Sequence, residues 1–199
     1  MSAVASLPVV EHDIVLAGHG VRLVPAAPEH AAALFAFIDP AMWAGMVTPP
    51  PASVEVVAAS IEAARAMPGR FAFAVLDDAT GEVRGQTSFY DVVPQQERCE
   101  IGHTFYGRAW WGGPTNPACK LLLLTHAFDA WDMHRVALRA DARNARSIGA
   151  ITRLGAVPEG VLRGHRIAAD GSRGDTAYFS ILRDEWPAVR GGLEERLAA

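Results

Sequence analysis

The sequence predicts an α+β domain: a mixed, mostly antiparallel sheet flanked by helices. Three observations carry this. Strand signals recur at 71–76, 83–93 and 98–106 with short polar turns between them, the pattern of an antiparallel meander. Two segments of helical period, 28–38 and 53–67, precede that meander. After it, a strongly apolar helix at 118–131 leads into one more strand, a short helix and a closing hairpin.

Each element has a local reason. Ile14-Val15-Leu16 and Val21-Arg22-Leu23-Val24 flank Ala17-Gly18-His19-Gly20 and read as an opening hairpin. In 28–38, Ala31, Leu34, Phe35 and Ile38 share one helical face. Residues 43–51 form a loop ending in three prolines. Ser53 suits the N-cap of the second helix, with Val54, Val57, Ile61 and Ala64 facing inward. Asn116-Pro117 reads as N-cap and first residue of the apolar helix. Residues 135–141 form a strand, and Asn144 caps a helix at 145–154 that Gly155 stops. The inward stripe of that helix is Ile148, Ile151 and Leu154. Strands at 161–167 and 176–182 join through Asp170-Gly171. The tail, 184–197, reads as a polar helix interrupted at Pro187 and Gly191-Gly192. No repeat, low-complexity stretch or linker divides the chain, so one domain is expected over 1–199.

Composition argues against several functions. The 199 residues are half hydrophobic, ample for a sizeable core, and the formal net charge of −4 lacks the basic excess of a nucleic-acid binder. Residues 1–10 have neither the basic segment nor the apolar run of a secretory leader, and Leu121–Leu124 is far too short to span a membrane. Cys99 and Cys119 form no metal-ligand spacing, and reduced thiols in a cytoplasmic protein are the simplest reading. His103, His126 and His134 are too scattered for a metal motif, so no metal is expected.

The stretch Trp110-Trp111-Gly112-Gly113-Pro114-Thr115-Asn116-Pro117-Ala118-Cys119-Lys120 follows a strand and opens a helix. A helix start offers unpartnered N–H groups and a positive dipole end, and glycines let a phosphate approach the backbone. Lys120, the sole lysine, is placed in the first turn. The stretch reads as a diphosphate cradle for coenzyme A; it also reads as an ordinary turn followed by a capped helix start.

Glu100-Ile101-Gly102, Trp110-Trp111-Gly112-Gly113, Asp141-Ala142-Arg143-Asn144-Ala145-Arg146-Ser147 and Leu154-Gly155-Ala156, in this order, resemble the GNAT acetyltransferases. The branch they look most like holds the ribosomal-protein N-terminal acetyltransferases RimJ and RimL. The resemblance covers about 21–186, leaving a short N-terminal hairpin and a C-terminal helix appended. It implies a splay between two parallel strands, 98–106 and 135–141, in which acetyl-CoA lies as a pseudo-strand. Trp111, Gly112, Gly113, Thr115, Asn116 and Lys120 would hold the diphosphate, and Asn144 the pantetheine arm. Pro114 stands where the family has a second glycine of Gly-x-Gly and removes one N–H donor.

Acetyl transfer to an amine needs a base for the ammonium proton, donors for the oxyanion and a proton for the leaving thiolate. Glu100 is the candidate base, with an ion pair to an arginine as its bland alternative and Glu159 as a competitor. Strand alternation puts Glu100, Gly102, Thr104 and Tyr106 on one face and Cys99, Ile101, His103 and Phe105 on the other. Ser147 is the candidate donor to the departing thiolate. Many family members carry a tyrosine acid seven residues after the Asn; here that position is Ile151, leaving Ser147, Tyr178, Tyr106 or water. Trp43, Trp110 and Trp111 are candidate walls of the acceptor pocket.

The resemblance therefore implies an acetyl-CoA-dependent N-acetyltransferase acting in a ternary complex on a primary amine, with a protein N-terminal α-amine as one candidate acceptor. Acetylation of a small amine, a non-catalytic acyl-CoA-binding module and a nucleotide-binding domain are the rivals. A homodimer through the last strands or the terminal helix stays open. Loops 43–51 and the hairpin at Asp170-Gly171 are the expected acceptor loops.

Overall fold

β1 (Leu16–Gly18) and β2 (Val21–Pro25) form the predicted opening hairpin. Its two central residues, His19 (φ 53°) and Gly20 (φ 74°), take the left-handed backbone whose twist suits a two-residue hairpin turn. The computed structural model describes residues 12–43, 46, 48–168 and 171–199.

The predicted helix at 28–38 is divided. A 3₁₀ turn, Pro28–His30, leads into α1 (Ala31–Ala36), and a separate turn of helix, α2 (Pro40–Trp43), follows. Pro40 disfavours helical backbone at Asp39, which ends α1 early, and the Asp39 carboxylate then caps α2 by accepting from Met42 N at 2.8 Å. α3 (Val54–Arg65) starts at the predicted cap, where Ser53 Oγ accepts from Val56 N, and buries Val57, Ile61 and Ala64.

β3 (Phe71–Asp77), β4 (Val83–Val93) and β5 (Arg98–Tyr106) make the expected antiparallel meander. α4 (Thr115–Thr125) continues through a π-helical turn, His126–Ala130, before β6 (Arg135–Asp141). α5 (Ala145–Thr152) begins at Asn144, whose Oδ1 accepts from Ser147 N at 3.0 Å, as its sequence position predicts. β7 (Val157–Ile167) and β8 (Arg173–Leu182) form the last hairpin; Asp170, part of its predicted turn, lies outside the described residues.

α6 (Trp186–Ala198) is unbroken, contrary to the sequence expectation. Pro187 falls in the first turn, where its missing N–H costs nothing, and Trp186, Val189 and Leu193 are buried. The described strands form one eight-stranded sheet, β1-β2-β3-β4-β5-β6-β8-β7, in which only β5 and β6 run parallel. One core packs α4, α5 and α6 on the sheet; a second, around Leu34, Ile61 and Phe105, packs α1 and α3. No described helix is long and apolar enough to cross a membrane.

Candidate active site

β5 and β6 pair only at Arg98–Arg135, Cys99–Val136 and Glu100–Ala137. Both strands run on, to Tyr106 and Asp141, without a further pair between them. Backbone polar groups along such a gap need other partners. A cavity of about 280 Å³ lies along this opening, with Ile101, Gly102 and Thr104 of β5 on one side and Leu138, Arg139 and Ala140 of β6 on the other. This is the predicted parallel pair, and it opens where the sequence reading places it.

A bulge in β5 changes which side chains meet the cavity. Gln86 pairs with Phe105 but Ser88 pairs with Gly102, so Thr87 alone opposes both His103 and Thr104. His103 takes the left-handed backbone (φ 49°) that accommodates the extra residue. Simple alternation therefore fails beyond Gly102, correcting the predicted face set. Glu100 and Gly102 stay on the Tyr90 side: a Cβ on Gly102 would stand 2.7 Å from Tyr90 Cε1, and the His103 ring is 5.0 Å from that of Tyr90. Thr104 and Tyr106 turn instead toward α4. Thr104 Oγ1 accepts from Lys120 Nζ at 3.2 Å and meets Thr87 Oγ1 at 2.8 Å, while the Tyr106 phenol lies against the Cys119 thiol.

The turn between β5 and α4 also differs from the simplest reading. Pro114, not Asn116, is the N-cap, and Ala118 N donates to Pro114 O at 2.9 Å. A proline at the N-cap gives up a donor that no helical acceptor would have used. Trp111 N donates to Arg108 O, so the N–H groups of Gly112, Gly113, Thr115 and Asn116 are the donors this turn can offer. Gly112 (φ 75°) supplies left-handed backbone. Trp111 is anchored by Nε1 donating to Tyr106 O at 2.7 Å, and its ring carries the guanidinium of Arg146 at 3.7 Å and that of Arg108 at 4.7 Å. Arg108 is oriented by Asp39 through bonds of 2.6 and 2.8 Å.

Of the residues named in advance, Trp111, Gly112, Gly113, Asn116, Lys120, Asn144 and Ser147 line the cavity. Thr115 does not; it is buried, and its Oγ1 accepts from Arg84 Nη1 at 3.3 Å. Lys120 stands in the second turn of α4 rather than the first, because the helix starts early. Glu100, at the last β5–β6 pair, does not line the cavity; it is buried (7% exposed), with Arg139 Nε 3.4 Å from Oε2. The carboxylate and burial together push the Tyr90 phenol up, burial being the larger cause. Burial pulls His103 down to about 4, with Arg70 and Arg139 adding to it, so its imidazole is neutral near pH 7. Glu159 is committed elsewhere: Arg135 grips both of its oxygens and Ser180 Oγ donates to it at 2.9 Å, and Arg135 pulls its pKa down. Trp110 and Trp111 wall the cavity, whereas Trp43 packs edge-on against Phe105 and donates to Thr48 O at 2.9 Å. Met42 and Met46 also line it, while 44, 45 and 47 of the expected acceptor loop lie outside the described residues.

Arg139, Arg146, Arg153 and Arg196 line the same cavity and were not singled out from the sequence. They come from β6, both ends of α5 and the end of α6, so no local spacing joins them. With Lys120 they make every charged residue on the described lining positive. A cavity with five cations and no carboxylate is built for a polyanion. Among the described residues no group of three or more His, Cys, Asp or Glu could hold a metal ion.

The model of the acetyltransferase (GNAT) domain family matches residues 21–157. YdaF of Bacillus subtilis (strain 168), provisionally named a ribosomal N-acetyltransferase, is 29% identical over 106 residues, 53% of this chain and 57% of its own length. The chain thus spans little more than half of that relative. A crystal structure from T. thermophilus, provisionally named an acetyltransferase, is 38% identical, with a TM-score of 0.86 over 92% of this chain and 96% of that one. A GCN5-related N-acetyltransferase from Brucella melitensis is 28% identical, with a TM-score of 0.86 over 96% and 87% of the two chains.

Proposed function

Because the chain belongs to the GNAT acetyltransferase family, we propose that it is an acetyl-CoA-dependent N-acetyltransferase whose acceptor is a primary amine. One observation carries this reading: the cavity in the β5–β6 opening is lined by five cations and no carboxylate. Coenzyme A is a polyanion with an amide-rich arm, so it matches both the charge of the lining and the strand edges left without a ladder partner.

In this reading the N–H groups of Gly112, Gly113, Thr115 and Asn116, with Arg146 stacked on Trp111, hold the diphosphate. Thr115 contributes only backbone, since its side chain is buried on Arg84. Asn144 fixes the start of α5 and faces the pantetheine arm; Ser147, one turn on, donates to the departing sulfur. Lys120 faces the bound coenzyme from inside the opening. Glu100 takes the ammonium proton, directly or through a water. Its Oε2 is buried and makes no hydrogen bond among the described residues, but Arg139 Nε stands 3.4 Å away and holds it in an ion pair. The amine enters past Met42, Met46 and Trp110. Buried, reduced Cys99 and Cys119 suit work in the cytoplasm.

We assign a protein N-terminal α-amine as the preferred acceptor class. The resemblance to the RimJ and RimL branch and the name of the Bacillus subtilis relative support that choice. The test is mass-spectrometric detection of acetyl transfer from acetyl-CoA to peptides with different N-termini, alongside small primary amines. Acetylated peptide α-amines are the expected product. Acetylation of small amines alone would replace the acceptor. Binding of acetyl-CoA without turnover on any acceptor would make the protein a binding module.

A further inference from the structure

We propose that Lys120 is the acid of the reaction: its ammonium gives the coenzyme A sulfur the proton it needs on leaving the acetyl group. This rests on the coenzyme A reading above and replaces Ser147, Tyr178, Tyr106 or water, the candidates the sequence offers, as the source of that proton.

Position is the first argument. Lys120 lies on α4 but reaches into the β5–β6 opening, where it lines the cavity while only 5% exposed. The β5 bulge is what brings Thr104 round to meet it. Around it stand Thr104 from β5, Thr87 behind Thr104 on β4, and Cys119, which the Tyr106 phenol meets. It forms no ion pair with a carboxylate among the described residues, and one of its three protons is spent on Thr104. A buried ammonium so placed has donors left for a ligand in the cavity.

Elimination is the second argument. The ionisable residues of the described lining are Tyr106, Lys120 and the four arginines. Arginine does not give up its proton in proteins. The Tyr106 phenol is turned to Cys119, and burial pushes its pKa well above the ordinary value. The Tyr178 hydroxyl accepts from Arg139 Nη1 at 2.7 Å and does not line the cavity. Ser147 can steady a sulfur anion but is too weak an acid to give it a proton. Lys120 is left, and burial pulls its pKa down to about 8, close to that of the thiol it would protonate. Burial likewise pushes the neighbouring Cys119 thiol up to about 11, so Cys119 stays neutral and does not compete.

The step balances. The acceptor ammonium loses one proton to Glu100 or to water, and its nitrogen attacks the thioester carbon. The carbon–sulfur bond breaks and its electron pair stays on sulfur. A proton passes from Lys120 Nζ to sulfur, giving the free thiol. The second proton lost by the acceptor nitrogen returns Lys120 to its ammonium form, so one proton leaves to solvent per turnover.

Because the chain has a single lysine, labelling lysine with an NMR isotope at the ε-carbon gives one signal. That signal is titrated with pH in the native protein saturated with coenzyme A, and again with desulfo-coenzyme A. A thiolate beside Nζ should raise the Lys120 titration by about one unit relative to the desulfo compound. Identical titrations in the two complexes would overturn the proposal and leave the coenzyme A reading standing. Failure of both compounds to bind would overturn that reading itself. Lys120→Arg supplies the kinetic arm, with calorimetry of coenzyme A binding as the check that the site is intact. The expected result is a loss of kcat of about a hundredfold and loss of the alkaline fall in kcat. A raised KM with kcat and pH profile unchanged would make Lys120 a binding residue and overturn its role as acid.

Discussion

Replacing Lys120 by Met should stabilise the protein while disabling it. Burial pulls the ammonium from 10.5 down to about 8. At about 1.4 kcal/mol per unit, the fold disfavours the charged form by about 3 kcal/mol. Methionine has similar length and carries no charge to desolvate. The change also removes the bond to Thr104, worth about 1 kcal/mol, although Thr104 keeps Thr87 as a partner. The net gain near pH 7 is therefore about 2 kcal/mol, or a Tm higher by about 4 to 8 °C. The sign with pH follows from the lowered folded-state value. Between about 8 and 10.5 the unfolded chain holds the proton that the folded chain has lost, so the native protein gains stability as pH rises through that window. Lys120→Met has no such gain, and its advantage should shrink and then reverse. Urea unfolding of both proteins, followed by tryptophan fluorescence near pH 7 and near pH 10, measures this. A variant less stable by 1 kcal/mol or more near pH 7, or a gap that does not move with pH, would refute the assigned cost of the buried charge.

Three further outcomes can be checked. Glu100→Gln should lower kcat by about a hundredfold or more with coenzyme A affinity by calorimetry unchanged; unaltered turnover would remove Glu100 as base. Arg146→Ala takes one cation from the lining and from the Trp111 ring, so acetyl-CoA should bind about tenfold more weakly, with a shallower dependence on salt. Asn144→Ala loses the cap on Ser147 N and should cost about 1 kcal/mol in urea unfolding together with a raised KM for acetyl-CoA; a stability loss with no change in KM would leave Asn144 a helix cap alone.

The elements that local chemistry controls were legible in the chain. Ser53 and Asn144 cap the helices they were expected to cap, and the strands 83–93, 98–106 and 135–141 fall where polar turns and apolar runs place them. These signals act over a few residues, within reach of a hydrogen bond or one helical turn. The loop ahead of α4 was legible in kind but not in register, because the helix starts at Thr115, with Pro114 already in helical backbone (φ −75°) and no side-chain cap bond, so Asn116 falls inside it. The faces of β5 were misread past Gly102, since nothing in Gly-His-Thr marks His103 for left-handed backbone; the bulge arises from pairing with β4. That bulge brings Thr104 to Lys120, and packing α4 over the sheet removes Lys120 from water. The positive lining is tertiary in the same sense: Arg139, Arg146, Arg153 and Arg196 share no spacing, and only the folded β6, α5 and α6 bring them to one cavity. Sequence by itself determined the order of the strands, the Ser53 and Asn144 caps and the glycine turn ahead of α4, because each depends on near neighbours. Tertiary structure alone decided which charges face one another and how deeply they are buried, because desolvation and Coulomb interactions depend on distance through space rather than along the chain.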